Sequence, residues 1–381
     1  MDQIYLDNNA TTPIDPEVAA AMMACYEQGY ANPASQHQLG RKARQVLEQA
    51  RERSGLLLGG QMSGFPADQV LLTSGGTEAN NLALRGLCGP PPGRIIVSAI
   101  EHPSVLSPAE HLRRTGYDVV LCPVDHHGVV LLDRLETLLT EDTRLVSIML
   151  ANNETGVLQP VEQAAELCNR VGLPLHTDAT QAVGKVPVDF RRLGVAALTC
   201  AAHKFHGPRG IGILLLRGGV KLDPLLLGGF QQAGLRPGTE DVALAVGMRQ
   251  ALELCHARQS EITGHLASLR DALEEAVRAG WPDLLIGGES APRLPQTSSA
   301  AFVGLDRQAL QMALDLAGVA CSTGSASASG SSERSPVLVA MGLQGSQIDA
   351  ALRLSLGRQN TPAEVAEASY RITNCCNNLR K

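Results

Sequence analysis

Leu173-Pro-Leu-His176-Thr-Asp178-Ala-Thr-Gln181-Ala-Val-Gly-Lys185 and Val195-Ala-Ala-Leu-Thr-Cys-Ala201-Ala-His203-Lys204-Phe-His-Gly207-Pro-Arg-Gly210 decide how this chain is built. Each opens on an apolar or small-residue run, Leu173 to His176 and Val195 to Ala201, that reads as a buried strand. Each run delivers one charged residue, Asp178 or Lys204, to a strand end. Outward from this pair, similar runs recur at Val70 to Thr73, Arg94 to Ser98, Asp118 to Cys122, Leu145 to Met149 and Ile211 to Leu216. Helical patterns lie between several of them, at Thr77 to Leu87, Ser104 to Thr115, Leu132 to Leu139 and Val161 to Arg170. This alternation predicts an α/β fold with a mostly parallel, seven-stranded sheet between helices. Ligands of such sheets gather beyond the carboxyl ends of the strands, where Asp178 and Lys204 fall.

From about residue 240 the pattern changes. Asp241 to Ala279 reads as a long helical stretch with few breakers except Gly247 and Gly264, bridging to a second unit. That unit holds Thr297 to Val303 as a strand, Asp306 to Ala317 as a helix, Ala351 to Leu356 as a strand and Pro362 to Leu379 as a final helix. A chain of 381 residues exceeds the size at which one core stops growing. The expected division is a large domain over 14–255 and a smaller α/β domain formed by 1–13 and 256–381, the arm Ile4 to Thr12 packing on one of the two. Cys321 to Ser335, dominated by Ser, Ala and Gly, is a loop of the small domain with almost no apolar anchors, either mobile and functional or a linker.

Composition excludes several functions. A net charge of −6 and a pI near 5.9 leave no electrostatic footprint for nucleic acid, and 3% aromatics give little to stack bases on. No apolar run approaches a membrane span, and Met1-Asp-Gln-Ile lacks the regions of a signal peptide, so the expected location is the cytoplasm. Nine scattered cysteines without a Cys-x-x-Cys spacing fit that compartment and speak against a disulfide framework or a metal site. The adjacent Cys375 and Cys376 read as incidental, near a fraying end.

A lysine amine can form a Schiff base with the aldehyde of pyridoxal phosphate, while an aspartate on the pyridinium nitrogen keeps the ring protonated as an electron sink. Asp178 and Lys204 suit those two tasks; the plainer account is two ordinary strand-terminal charges. Ser74-Gly75-Gly76-Thr77-Glu78 opens a helix after a strand, so its free amides and the Thr77 hydroxyl suit a phosphate, or simply cap the helix. His102, just past another strand, could stack on the ring or be structural. Asn153 and Gln181 could each reach the phenolic oxygen of the ring, or serve turns and caps. Arg353, in an otherwise apolar strand, needs an anion: a substrate carboxylate or a structural acidic partner.

Leu6-Asp7-Asn8-Asn9-Ala10-Thr11-Thr12-Pro13, Asn32-Pro-Ala-Ser35, Thr73-Ser-Gly-Gly76-Thr77-Glu78, Asn152-Asn153-Glu154-Thr-Gly156, Asp178-Ala-Thr-Gln181, His203-Lys204, Arg236-Pro-Gly-Thr239-Glu240 and Arg353-Leu-Ser-Leu-Gly357-Arg358 occur in order from residue 4 to about 375. Together they resemble the cysteine desulfurases, the NifS/IscS-like group of class V, fold-type I pyridoxal phosphate enzymes. The resemblance implies Lys204 as the Schiff-base lysine, Asp178 on the pyridinium nitrogen and His102 stacked on the ring. Gln181 and Asn153 would lie near the phenolic oxygen, Gly76 and Thr77 on the phosphate, with His203 also at the cofactor. Arg353 would hold the carboxylate of L-cysteine, with Asn32 and Asn153 at the substrate. Thr239 would reach the cofactor phosphate of a partner subunit, which implies a homodimer.

Two departures stand out. Where the family usually carries a serine three residues before the lysine, this chain has Ala201, so one phosphate donor is missing. The family's loop cysteine is replaced in Ser322-Thr-Gly-Ser-Ala-Ser327-Ala-Ser329, where Ser327 takes its position with Glu333, Ser335, Val337 and Leu338 in register. Cys321, six residues earlier, reads as a structural thiol. In the implied reaction Lys204 removes the substrate Cα proton, and a loop thiolate takes the sulfur as a persulfide, leaving L-alanine for iron–sulfur cluster or thio-cofactor assembly. Serine has almost no ionised form near neutral pH and makes no stable persulfide. The chain is therefore expected to bind cofactor and cysteine and to turn over sulfur very poorly. A Cys-to-Ser substitution made to trap an intermediate and a natural divergence both account for Ser327. Two other functions stay open: a pyridoxal phosphate lyase or transaminase such as a selenocysteine lyase-like enzyme, and a non-catalytic homologue that binds a sulfur-acceptor scaffold. The end at Leu379-Arg380-Lys381 leads one to expect no long acceptor-docking tail.

Overall fold

The computed structural model describes residues 2–324 and 333–380. A short strand, β1 (Ile4–Tyr5), precedes two helices that strand-first reading did not place, α1 (Pro16–Glu27) and α2 (Gln38–Leu57). Asp15 caps α1 by accepting the Glu17 amide at 2.7 Å, and Pro16 takes the first helical position, where a missing N–H costs nothing. The alternation then runs β2 (Gln69–Thr73), α3 (Gly76–Leu87), β3 (Arg94–Ser98), α4 (Pro103–Arg114), β4 (Asp118–Cys122) and α5 (Leu132–Leu138). It continues through β5 (Thr143–Ser147), α6 (Val161–Arg170), β6 (Leu175–Asp178), α7 (Phe190–Leu193), β7 (Ala197–Ala201) and β8 (Gly212–Leu216).

Seven of these strands form one sheet in the order β2-β8-β7-β6-β5-β3-β4. It is parallel from β7 to β4, and β8 runs antiparallel to both of its neighbours, giving the mostly parallel sheet expected. Successive residues serve opposite faces. Ile95, Val97, Leu214 and Leu216 join the core under α3 and α4, whereas Ile96, Ile213 and Leu215 join the core on the other side. Two strands are displaced from their expected bounds at both ends. β6 begins at Leu175 because Pro174 has no N–H for the ladder, and it ends on Asp178 itself, paired with Thr199. β5 is regular only to Ser147, although the Ile148 and Leu150 amides still donate to the carbonyls of His176 (3.1 Å) and Asp178 (2.9 Å) of β6.

Asp241 to Ala279 is two helices, α8 (Val242–Ala257) and α9 (Gln259–Gly280), broken at Arg258 (φ −116°, ψ 19°). Gly247 lies inside α8 because α1 packs there: a Cβ on it would come within 2.7 Å of the Met22 sulfur. Beyond α9 lie β9 (Leu284–Ile286), β10 (Thr297–Phe302), α10 (Arg307–Leu316), β11 (Val319–Ala320), α11 (Pro336–Ala340), α12 (Gly345–Ile348), β12 (Ala351–Ser355) and α13 (Pro362–Leu379). β10 is the centre of an antiparallel sheet, β12-β10-β9, and β1 pairs in parallel with β11. A separate apolar core gathers Ile4, Leu6, Trp281, Phe302, Leu354 and Ile372. Cys376 is fully buried in that core, so it is a packed residue of α13 and not part of a frayed end. All nine cysteines are free, eight of them buried. Among the described residues no helix is long and apolar enough to cross a membrane.

Candidate functional site

Asp178 closes β6 with both carboxylate oxygens occupied. The Thr180 amide donates to Oδ1 at 2.9 Å, and Asn80 Nδ2, from α3, donates to Oδ2 at 2.7 Å. One strand over, β7 runs into a 3-10 turn, Ala202–Lys204, which lifts Lys204 over the sheet end. Its Nζ donates to the carbonyls of Asn9 (2.6 Å) and Ala10 (2.8 Å) on the N-terminal arm. Burial, and then the nearby Arg353 guanidinium, lower the Lys204 ammonium to about 8. Beneath it, the buried Lys185 Nζ donates to the Lys204 carbonyl at 2.5 Å, with its own pKa brought to about 7 by burial.

His102 is the N-cap of α4. Its Nδ1 accepts the Ser104 amide at 3.1 Å, which leaves the ring proton on Nε2, and burial lowers its pKa. Asn80 also donates to Ser104 Oγ at 2.8 Å, and that hydroxyl lies 2.8 Å from His102 Nδ1, so one amide links Asp178 to His102. His203 Nδ1 sits 3.1 Å from Thr11 Oγ1, and burial brings its pKa to about 4. Gly76, Thr77, His102, Asn153, Asp178, Gln181, His203 and Lys204 all line this one cavity. A second cavity holds His102, Asn153, Gln181 and Lys204 in common with it and adds Glu154 and Arg353.

Arg353, from β12, has the structural acidic partner that one of its two readings requires. Its Nη2 pairs with Asp7 at 2.9 Å, and its Nη1 donates to the carbonyls of Asn153 (3.1 Å) and Gly324 (2.9 Å). Yet it faces the cavity of Lys204, with Nε buried and without a partner among the described residues. Glu154 accepts the Ser335 hydroxyl at 2.6 Å, and burial raises its pKa. Asn32 and Thr239 are not brought to this cavity; both are exposed and line a groove of their own with Tyr26 and Asp241. Ser327 lies outside the described residues.

The residues present fit pyridoxal phosphate. Four buried side-chain oxygens on the cavity, those of Asn80 (Oδ1), Asn153 (Oδ1), Thr180 (Oγ1) and Gln181 (Oε1), have no partner among the described residues, so the site is polar beyond its own needs. Gly75 caps α3 without a side-chain bond, in a backbone conformation (φ 152°, ψ −179°) that favours glycine, and this leaves the first-turn amides open to an anion. An amine, a buried carboxylate and an anion cradle are the three groups the cofactor needs. Reading the sequence missed Asn9, Asn80, Ser104, Thr180 and Lys185, which act on or beside the expected residues. Asn9, Thr180 and Lys185 lay within the motifs the sequence singles out, but only the fold shows which neighbours they meet.

The class-V aminotransferase family profile matches residues 4–367. A cysteine desulfurase of Trichormus azollae is 41% identical over 367 residues, covering 96% of this chain and 90% of the relative. A solved NifS-like protein superposes with a TM-score of 0.89 at 36% identity, covering 98% of both chains. A structure of SspA in complex with cysteine gives a TM-score of 0.81 at 30% identity, over 94% of this chain and 100% of that one.

Proposed function

Because the chain belongs to the class-V aminotransferase family, and within it to the cysteine desulfurases, we propose that it holds pyridoxal phosphate and L-cysteine between Asp178, Lys204 and Arg353. Cysteine desulfurases are pyridoxal phosphate enzymes. When bound, the cofactor supplies an electron sink for the charge released at the substrate Cα. What carries the reading is that Asp178 and Lys204, the two residues the sequence singles out, share one cavity whose polar groups are only partly satisfied.

Asp178, pinned by Thr180 and Asn80, holds an anion where a ring nitrogen must keep its proton. Gly76 and Thr77 offer the first turn of α3 to the phosphate, with Gln181, Asn153 and His203 around the ring. His102 presents Nε2–H into the cavity. Lys204, losing its proton near pH 8, is a competent base for the substrate Cα proton. Arg353 takes the carboxylate, with Asn153 beside it. Among the described residues no cysteine lines either cavity. Burial raises the Cys321 thiol to about 12, so it supplies no thiolate in place of Ser327.

The chain therefore binds its substrate and stalls before sulfur moves. Alanine formation from L-cysteine tests this. Ser327→Cys should raise it by roughly 10³-fold or more, the scale of restoring a lost nucleophile; equal rates in the two proteins would sink the reading. We further take the chain as a large unit (14–255) and a small one (1–13 with 256–381), supported by an apolar core that draws only on residues of the small unit, while Leu294, Ala301, Val337, Leu338, Met341, Ile348 and Ala351 of that unit join the core of the large one. It is read as a cytoplasmic homodimer whose sulfur acceptor is an iron–sulfur scaffold or another acceptor protein.

A further inference from the structure

We infer that the Thr180 hydroxyl is a phosphate donor of this cofactor site, supplying from the end of β6 what Ala201 cannot supply from the end of β7. The inference rests on the pyridoxal phosphate reading above. Ala201 is the last residue of β7, and Thr180 follows the last residue of the adjacent parallel strand β6 by two positions. Their side chains meet at the same spot: a Cβ built on Gly76 would lie 3.3 Å from Thr180 Oγ1 and 3.5 Å from Ala201 Cβ. Both therefore face the first turn of α3, the anion cradle, and both line the cavity of Lys204. Thr180 Oγ1 is buried and has no hydrogen-bond partner among the described residues. A buried hydroxyl left unpaired is unfavourable, and an anion at the α3 terminus is the acceptor its position serves. Its backbone is already fixed, because the Thr180 amide is spent on Asp178 Oδ1 at 2.9 Å. One residue thus braces the carboxylate for the ring nitrogen and turns its side chain toward the phosphate end.

The test is equilibrium binding to the cofactor-free protein, with pyridoxal phosphate and with pyridoxal, which lacks the phosphate, as parallel probes. Thr180→Val keeps the shape and removes the hydroxyl. It should weaken pyridoxal phosphate by roughly tenfold to a hundredfold, the range for one hydrogen bond to a charged group, and leave pyridoxal unchanged. Thr180→Ser should bind like the parent, which guards against a folding defect. Adding Ala201→Ser to Thr180→Val should recover most of the lost affinity. Unchanged affinity in Thr180→Val, an equal loss for both probes, or no recovery with Ala201→Ser would each overturn the assignment. A parent protein that captured neither probe on Lys204, judged by borohydride reduction and mass, would remove the underlying reading and this inference with it.

Discussion

Burial and the Arg353 guanidinium both favour the neutral amine of Lys204, which places its proton loss near pH 8 instead of the roughly 10.4 of a free lysine. In the cofactor-free protein the charged form is the disfavoured one. Its cost to folding is present below about pH 8 and is relieved as pH rises toward the unfolded value. The amine is the reactive form, so covalent uptake of pyridoxal phosphate should quicken about tenfold per pH unit below the midpoint and level off above it. Stopped-flow absorbance against pH would show the bend near 8. Arg353→Met removes a positive neighbour and frees Asp7, both of which stabilise the ammonium, so the bend should move to higher pH. A profile climbing unbroken toward pH 10 would contradict the assignment. At this scale the sequence was legible where chemistry forces a residue type, as with Asp178, Lys204 and Arg353. Asn80, Thr180 and Lys185 stayed hidden because their work depends on what lies across the sheet end, and ordinary Asn, Thr and Lys positions carry no sign of that.

In the function proposed above, different elements serve the cofactor and L-cysteine. The proposed cofactor residues Gly76, Thr77, His102, Asp178, Gln181 and Lys204 sit on or beside α3, α4, β6 and β7 of the large unit and Asn153 lies between β5 and α6, whereas Arg353, the proposed carboxylate ligand, comes from β12 of the small one. Helices with polar caps were legible at their starts: α13 opens on Thr361-Pro362, with a capping box to Glu364, at the residue expected. The α8–α9 break was not, because Gly247 serves close packing against α1 and the turn fell on Arg258. Trp281, 2% exposed at the end of α9, packs against Phe302 of β10 and lies under the Arg380 guanidinium. Trp281→Ala should cost about 3–5 kcal/mol in the small unit, read as a lower urea midpoint. L-cysteine should bind more weakly as β12 loosens, while pyridoxal phosphate affinity stays close to that of the parent. A parallel fall in cofactor affinity would show that the two units do not separate in this way.

At the scale of the whole molecule, two expected site residues point away from their own cavity. Thr239 and Asn32 share an exposed groove, and the segment leading to Thr239 carries Leu227 and Phe230, 88% and 86% exposed. Gln232 ties that segment to the sheet edge, its side chain exchanging hydrogen bonds with the backbone of Leu72 at 2.7 and 2.9 Å, so the apolar side chains stand on a fixed base. Large exposed apolar groups held this way suit an interface, and the homodimer proposed above, in which a second copy would bring Thr239 to its partner's phosphate, accounts for both observations. Subunit mixing tests this. Thr239→Val alone should weaken cofactor binding at every site, and Lys204→Ala alone should abolish covalent capture. In a hybrid of the two, one site combines an intact Lys204 with the intact Thr239 of the other subunit, if Thr239 acts across the interface. Half of the sites should then capture pyridoxal phosphate with parental affinity. If Thr239 acts within its own chain, every capturing site in the hybrid keeps the weakened affinity, and a protein that is monomeric by light scattering would end the proposal outright.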